Sequence, residues 1–218
     1  LALIGRCALL ACLFMICSDE IGVRTMSERS HFREFRDPGN NQTLFFALLL
    51  GADDRPRLTQ FTHERRRKEG LAGTPTPGPR LHLSLHAVGD YRELPDRIVR
   101  AGVMAAASVD APAFSVAFDR TMTFTSTRPT KPFVLCASDG MMALEFLHER
   151  LGQALWRVGL GQHVSRRFTP HITLLYDQRS APERSISPLI FRFDSFVLIH
   201  SLVRPRRHVH VARWALRQ

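Results

Sequence analysis

His82-Leu83-Ser84-Leu85 and His171-Ile172-Thr173-Leu174 repeat one pattern: imidazole, aliphatic, hydroxyl, aliphatic. Both segments alternate polar and apolar residues, so both read as strands, and alternate side chains of a strand share a face. His82 and Ser84 then point one way while Leu83 and Leu85 point into a core. His171 and Thr173 stand in the same relation to Ile172 and Leu174. Each copy follows a turn-rich approach, with Pro79 before the first and Pro170 before the second. Two such strands facing one another across a cleft would set two imidazoles beside two hydroxyl donors. Histidine titrates near pH 6.5, so one ring can accept a proton from water while the other, protonated, donates to a departing oxygen. The hydroxyls can donate to non-bridging phosphate oxygens as charge develops. Such a set carries out phosphodiester chemistry, and no metal or other cofactor is expected.

Each residue also has a plainer role to weigh. A single strand histidine is usually a surface or satisfied residue, and here it is the duplication that points to catalysis. By simple alternation His86 falls on the face of His82 and Ser84, which makes it a candidate third cleft residue touching substrate. A zinc site built on His86 would lack cysteine or carboxylate partners at metal spacing. His208 and His210, two apart near the end of the chain, read as an exposed strand face. Tyr176, Phe168 and Phe124 could stack a base or belong to the core. No glycine-rich phosphate loop, CxxC pair or HExxH helix is present.

The elements that must position these residues can be read from run length and period. The chain has 218 residues, 44% hydrophobic and 23% charged, which is ordinary globular usage and excludes disorder, collagen-like repeats and a disulfide miniprotein. Residues 44–50 form a continuous apolar run of strand length. Residues 53–69 read as a charged helix carrying Leu58 and Phe61, closed by Arg65, Arg66, Arg67 and Lys68 before Gly70. A Pro/Gly-rich loop at 73–79 delivers the chain to the first motif strand. A helix with Leu94, Ile98, Ala101 and Met104 on one stripe follows, then strands at 114–125 and 132–137. A second long helix is expected from about Asp139, capped by Ser138 or Asp139, with Leu144, Leu147, Leu151, Leu155 and Val158 on one face. Residues 168–176 read as strand, and after a polar loop two closing strands are expected near 190–202 and 208–216. Irregular alternation with hairpin-like pairs points to an α+β fold with two antiparallel or mixed sheets and outer helices.

Lysine plus arginine number 30 against 20 acidic residues, a formal charge of +10 that favours polyanionic partners. Only Lys68 and Lys131 are lysines, and guanidinium is the better bidentate phosphate ligand, although base composition or solubility would account for the same bias. Three cysteines, Cys7, Cys12 and Cys17, precede residue 18 and only Cys136 follows, which suits a reducing compartment. The apolar opening resembles a signal peptide but lacks a convincing cleavage site, and Met26 opens a polar segment. The expectation is therefore a start at Met26 and an extension over 1–42. The folded unit is then 43–217, cytoplasmic, monomeric and without membrane attachment. Export is the alternative if residues 1–17 are a true signal.

The two tetrapeptides, with PHITLLYD around the second, resemble the 2H phosphoesterase superfamily, specifically the bacterial 2′-5′ RNA ligase or RNA 2′,3′-cyclic phosphodiesterase family. The likeness runs from LFFAL at 44–48 through the helix at 139–158 to SFVLIHSL and HVARWAL, covering residues 43–217. It implies a bilobal fold with pseudo-twofold symmetry and both histidines in a central cleft. The implied reaction converts a 2′,3′-cyclic phosphate at an RNA end, or on a small nucleotide, to a 2′-phosphomonoester, with reversible 2′-5′ ligation. By motif, His171 would activate water, His82 would protonate the 3′ oxygen, and Ser84 and Thr173 would bind phosphate. Ser84 replaces the commoner threonine and keeps the hydroxyl. Tyr176 stands where relatives often carry arginine, which leaves the substrate open; Arg80, Arg166 or Arg167 could supply a cation instead. Two other readings remain: a 2H enzyme acting on another small cyclic or 2′-5′ linked nucleotide, and an RNA-end binding module without turnover.

Overall fold

The first apolar run forms strand β1 (Gln42–Leu49), whose central residues are buried because both faces are covered. In this computed structural model residues 42–138, 141–165, 167–202 and 207–218 are described, so the expected extension over 1–42 lies outside them except for Gln42. Helix α1 (Asp54–Lys68) and a 3-10 turn, Gly78–Arg80, carry the chain back to β2 (His82–Tyr91). Helix α2 (Asp96–Ala107) leads to β3 (Phe114–Thr123) and β4 (Lys131–Cys136). Helix α3 (Met142–Arg157) and a second 3-10 turn, Gly161–His163, lead to β5 (His171–Asp177). The chain closes with β6 (Arg184–Phe193), β7 (Ser195–Leu202) and β8 (Arg207–Ala215).

The strands pair in the order β6-β3-β4-β5-β2-β1-β7-β8, and every pair is antiparallel. Outward from the centre, the two halves have one plan: β1-α1-β2 in the first matches β4-α3-β5 in the second, which is the expected pseudo-twofold duplication. The expectation of two sheets is corrected. The halves are joined into one eight-stranded sheet by a single pair, Leu83 with Ile172. Two separate sheets would each end in a motif strand with unpaired N–H and C=O groups, and the join removes part of that cost. Further along β5 the open edge is taken by the loop before the first motif, where the Thr76 N–H donates to the Leu174 carbonyl at 2.7 Å.

One contiguous core holds the halves together, from Leu44, Phe46 and Leu48 through Phe118 and Phe133 to Phe191 and Phe196. Helix α3 buries Leu144, Leu147, Leu151 and Leu155 as its period requires. It starts at Met142 without a side-chain cap, and Ser138 instead donates its hydroxyl to Asp119 Oδ1 at 2.9 Å; the alternative cap, Asp139, lies outside the described residues. In α2 the inward face carries Gly102, Ala105 and Ala106, and Met104 is 67% exposed, so the buried stripe is rotated by about one residue from the expected one. Gly102 is where the helix comes nearest the sheet: a Cβ there would lie 3.5 Å from Leu198 and 3.7 Å from Phe46. The expected strand at 190–202 is two strands in different halves, broken at Asp194, and its first part begins at Arg184. β6 has the polar look of a loop because it is an edge strand, exposed along most of its length and carrying Pro188. Among the described residues no helix is long and apolar enough to cross a membrane.

If the single pair at the centre holds the halves in register, Leu83→Ala and Ile172→Ala should each destabilise the fold by about 2–5 kcal/mol. Both side chains are fully buried. Urea denaturation of the two single variants and the double variant checks this; the double should cost less than the sum, because the two residues share one contact.

Candidate active site

The join sets the geometry. Leu83 and Ile172 point into the core, so the pleat sends His82 and Ser84, and His171 and Thr173, to the other face of the sheet. An antiparallel register through that pair places His82 across from Thr173 and Ser84 across from His171. The two imidazoles therefore lie diagonally about the pseudo-dyad, each beside the hydroxyl of the other half. The structure brings all four motif residues together.

Both rings are anchored alike. The His82 Nδ1–H donates to the Arg80 carbonyl at 2.7 Å, and the His171 Nδ1–H donates to the Thr169 carbonyl at 2.8 Å. A carbonyl can only accept, so Nδ1 must carry the proton and each neutral ring keeps its lone pair on Nε2. Aromatic rings hold the orientation: Phe45 lies 5.1 Å from His82 and Phe124 lies 5.0 Å from His171, centroid to centroid. Burial pushes His82 down to about 4, the hydrogen bond to Arg80 opposes this, and the nearby His171 and Arg80 push it further down. Burial likewise lowers His171, opposed by its bond to Thr169. Two imidazoles confined together resist joint protonation.

Each motif strand carries a β-bulge one step past its hydroxyl. On β2 the register slips between Phe46 opposite His86 and Ala47 opposite Ser84, and on β5 it slips between Phe133 opposite Leu175 and Val134 opposite Thr173. A bulge reverses the facing of everything beyond it. His86 is thereby turned into the core, which corrects the expectation of a third cleft residue. It is 3% exposed, its Nε2–H donates to the His148 carbonyl at 2.8 Å, and its ring stacks on His148 at 3.9 Å. His148 in turn stacks on Phe168 at 4.0 Å, so Phe168 is committed to this stack beneath α3. The same slip on β5 turns Tyr176 outward on the side of His171 and Thr173, where it is 47% exposed opposite Pro132. Its neighbour Asp177 faces inward, and its carboxylate accepts from the N–H groups of Ala72, Gly73 and Arg179. Burial would raise that carboxylate, but these three bonds and the Arg179 charge hold it below the usual range.

Sequence reasoning misses His208. Instead of an exposed strand face, it presents its ring edge-on to His82 at 5.5 Å and to Phe45 at 5.7 Å. The missing signal is register: β8 pairs with β7 so that His208 lies opposite Ser201 and His210 opposite Ile199, which belongs to the small apolar cluster with Phe45 on the imidazole side of the sheet. Of the three candidate arginines, Arg80 acts on His82 through its charge, Arg167 is exposed with its N–H bonded to the Ser165 hydroxyl, and Arg166 lies outside the described residues. Among the described residues no three His, Cys, Asp or Glu side chains group to hold a metal ion.

Residues 42–211 match the family model described as the 2′-5′ RNA ligase superfamily. The chain belongs to that superfamily. Its fold is that of solved members: the apo crystal structure of E. coli LigT is 27% identical with a TM-score of 0.62, covering 82% of this chain and 99% of LigT. LigT complexed with 3′-AMP is 28% identical with a TM-score of 0.64, over the same shares of the two chains. A Thermus thermophilus protein, 21% identical, covers 80% of this chain and 98% of its own length with a TM-score of 0.64 and shares the fold. No curated protein matches. The superfamily and the LigT-like structure support a phosphodiesterase or 2′-5′ RNA ligase type of activity for this chain.

The buried imidazoles make the stability of this 2H phosphoesterase depend on pH. His82, His86, His148 and His171 all lie below their ordinary value of 6.5, chiefly through burial, with His82 at about 4 and His148 at about 3. As pH falls the unfolded chain takes up protons first. The stability is fully present above about pH 6.5 and is lost as pH falls through about 4 and then about 3. The Tm is expected to fall between pH 7 and pH 5, and His148→Phe, which keeps the ring stack but cannot be protonated, should flatten that fall in thermal melts.

Proposed function

We propose that this chain opens 2′,3′-cyclic phosphates at RNA ends or on small nucleotides and leaves a 2′-phosphomonoester. The reading is carried by one observation: two imidazoles with identical Nδ1 anchors, each beside the other half's hydroxyl, on one face of the join. His171 Nε2 takes a proton from water as the water oxygen bonds to phosphorus. The bond from phosphorus to the 3′ oxygen breaks, and His82 Nε2–H delivers a proton to that oxygen. Ser84 and Thr173 donate to the non-bridging oxygens, whose charge grows in the transition state. Tyr176, on the same face, contacts the substrate beside them. A 5′-hydroxyl in place of water gives a 2′-5′ phosphodiester by the same two proton transfers. The nucleotide bound by LigT, 3′-AMP, supports a nucleotide substrate here.

Protonation must be unequal for this to work. In the free cleft burial holds both imidazoles low, and the neighbouring His171 and Arg80 push His82 lower still; an anionic phosphate between the rings favours the charged form and lets one of them hold its proton.

RNA ending in a 2′,3′-cyclic phosphate tests the proposal, with 2′- and 3′-phosphate products resolved. Turnover should yield the 2′-phosphate and persist in EDTA, because the imidazoles supply both acid and base. His82→Ala and His171→Ala should each reduce kcat by about 10²–10⁴-fold. The bell-shaped profile of kcat/KM should be centred on the acid side of pH 6.5, since both free-enzyme values are lowered, and that of kcat should lie higher. Wild-type turnover in either alanine variant overturns the assigned pair. Binding of the cyclic end without product would make the chain a binding module.

A further inference from the structure

The last strand reaches the imidazole face through a bulge of its own. On β8 the register slips between Ala212 opposite Leu198 and His210 opposite Ile199, which leaves Val211 as the extra residue. Val211 packs with Leu198 on the main core, whereas Ile199 belongs to the cluster of Phe45, Ala47 and Val197 on the other face. With unbroken alternation Val209 and Val211 would face that cluster and both histidines would face the core. The extra residue exchanges them and turns His208 and His210 to the imidazole side.

The two histidines turned by this slip have different company. His210 is exposed. His208 is half-buried, and its ring closes a triangle with those of Phe45 and His82: the centroids lie 5.7 Å from Phe45 and 5.5 Å from His82, and those two are 5.1 Å apart. Its plane is inclined at 71° to His82 and at 76° to Phe45, so it stands edge-on to both. The His82 imidazole is therefore held from three elements: by the Arg80 carbonyl at Nδ1, by Phe45 from β1 and by His208 from β8. A histidine χ2 torsion is soft, and one hydrogen bond leaves the ring able to tilt about it; rings on two sides remove that freedom. The same rings exclude water, and burial is the chief reason that His82 lies at about 4.

We propose that His208 is a positioning residue for the general acid: its ring closes one side of His82, keeping that imidazole dry and its Nε2 aimed at the phosphate. This role rests on the phosphodiesterase reading above and adds to it a residue that acts through His82. A proton donor must stay within hydrogen-bond reach of the oxygen it serves, and a small misplacement is costly.

Steady-state kinetics on a 2′,3′-cyclic mononucleotide across pH test this with His208→Ala, His208→Phe and His210→Ala. His208→Ala should lower kcat by up to about 10²-fold, the scale on which a misplaced group acts, with KM near the wild-type value. His208→Phe, which restores a ring in the same place, should recover most of the loss, and His210→Ala should match wild type. The limb of the kcat/KM profile set by His82 should move towards pH 6.5 in His208→Ala, as water reaches the ring, and stay in place in His208→Phe. Arg80 and His171, whose charges also lower His82, are untouched by these variants. His208→Gln, which also lacks the ring, takes the place of alanine should that variant not fold. Wild-type kcat and profile without the ring overturn the inference. Equal loss in the alanine and phenylalanine variants overturns it too, since the nitrogens of His208 would then be the active part. NMR titration of the His82 imidazole separates the two proposals, because it needs no turnover. A raised His82 value in His208→Ala, in a chain that leaves the cyclic phosphate intact, sustains the contact and sinks the catalytic reading alone; an unmoved value sinks the role of His208 whatever the turnover.

Discussion

A single antiparallel pair, Leu83 with Ile172, joins the two halves of the sheet, and the pleat around it decides which face the two motifs present. Burying those two aliphatic side chains forces their neighbours on both sides to the opposite face. Those neighbours are the two imidazoles and the two hydroxyls. The hydrophobic demand of the core and the placement of the two imidazoles are thus one constraint satisfied once. The backbone adds a second constraint: a carbonyl two residues upstream of each histidine accepts from its Nδ1–H, so Nε2 keeps the lone pair on both sides.

The paired bulges limit how far that alternation extends. Past each hydroxyl the strand gains one residue, and the facing of the remainder is exchanged. On β2 the exchange places an imidazole, His86, where a core residue belongs, and the fold accommodates it by stacking it on His148 and bonding it to a carbonyl of α3. On β5 the same exchange buries Asp177 among backbone N–H donors and turns Tyr176 to the imidazole side. The symmetry of the backbone is close, and the side chains placed on it are not.

Much of this is legible in the residues alone. The helices around Leu58 and Leu144, the strands at 114–125 and 132–137, and the shared face of His82, Ser84, His171 and Thr173 follow from period and run length, because burial imposes those patterns locally. His86 is misplaced by simple alternation because a bulge leaves no mark in the period of so short a segment. His208 escapes notice because its position depends on the register of β8 against β7, a long-range property that no local pattern encodes. β6 is hidden by its own exposure, since an edge strand need not be apolar.

The strand order interleaves the chain. β1 and β2 come early, yet the outer partner of β1 is β7, which begins at Ser195. A ribosome releasing about 5–20 residues per second therefore leaves the outer edge of β1 unpaired for on the order of ten to thirty seconds after it emerges. Throughout that interval Phe46 and Leu48 lack Leu198 and Phe196, the β7 residues that stand beside them in the finished sheet. The second half has all four of its strands by Phe193, whereas the first half, begun earlier, is completed last.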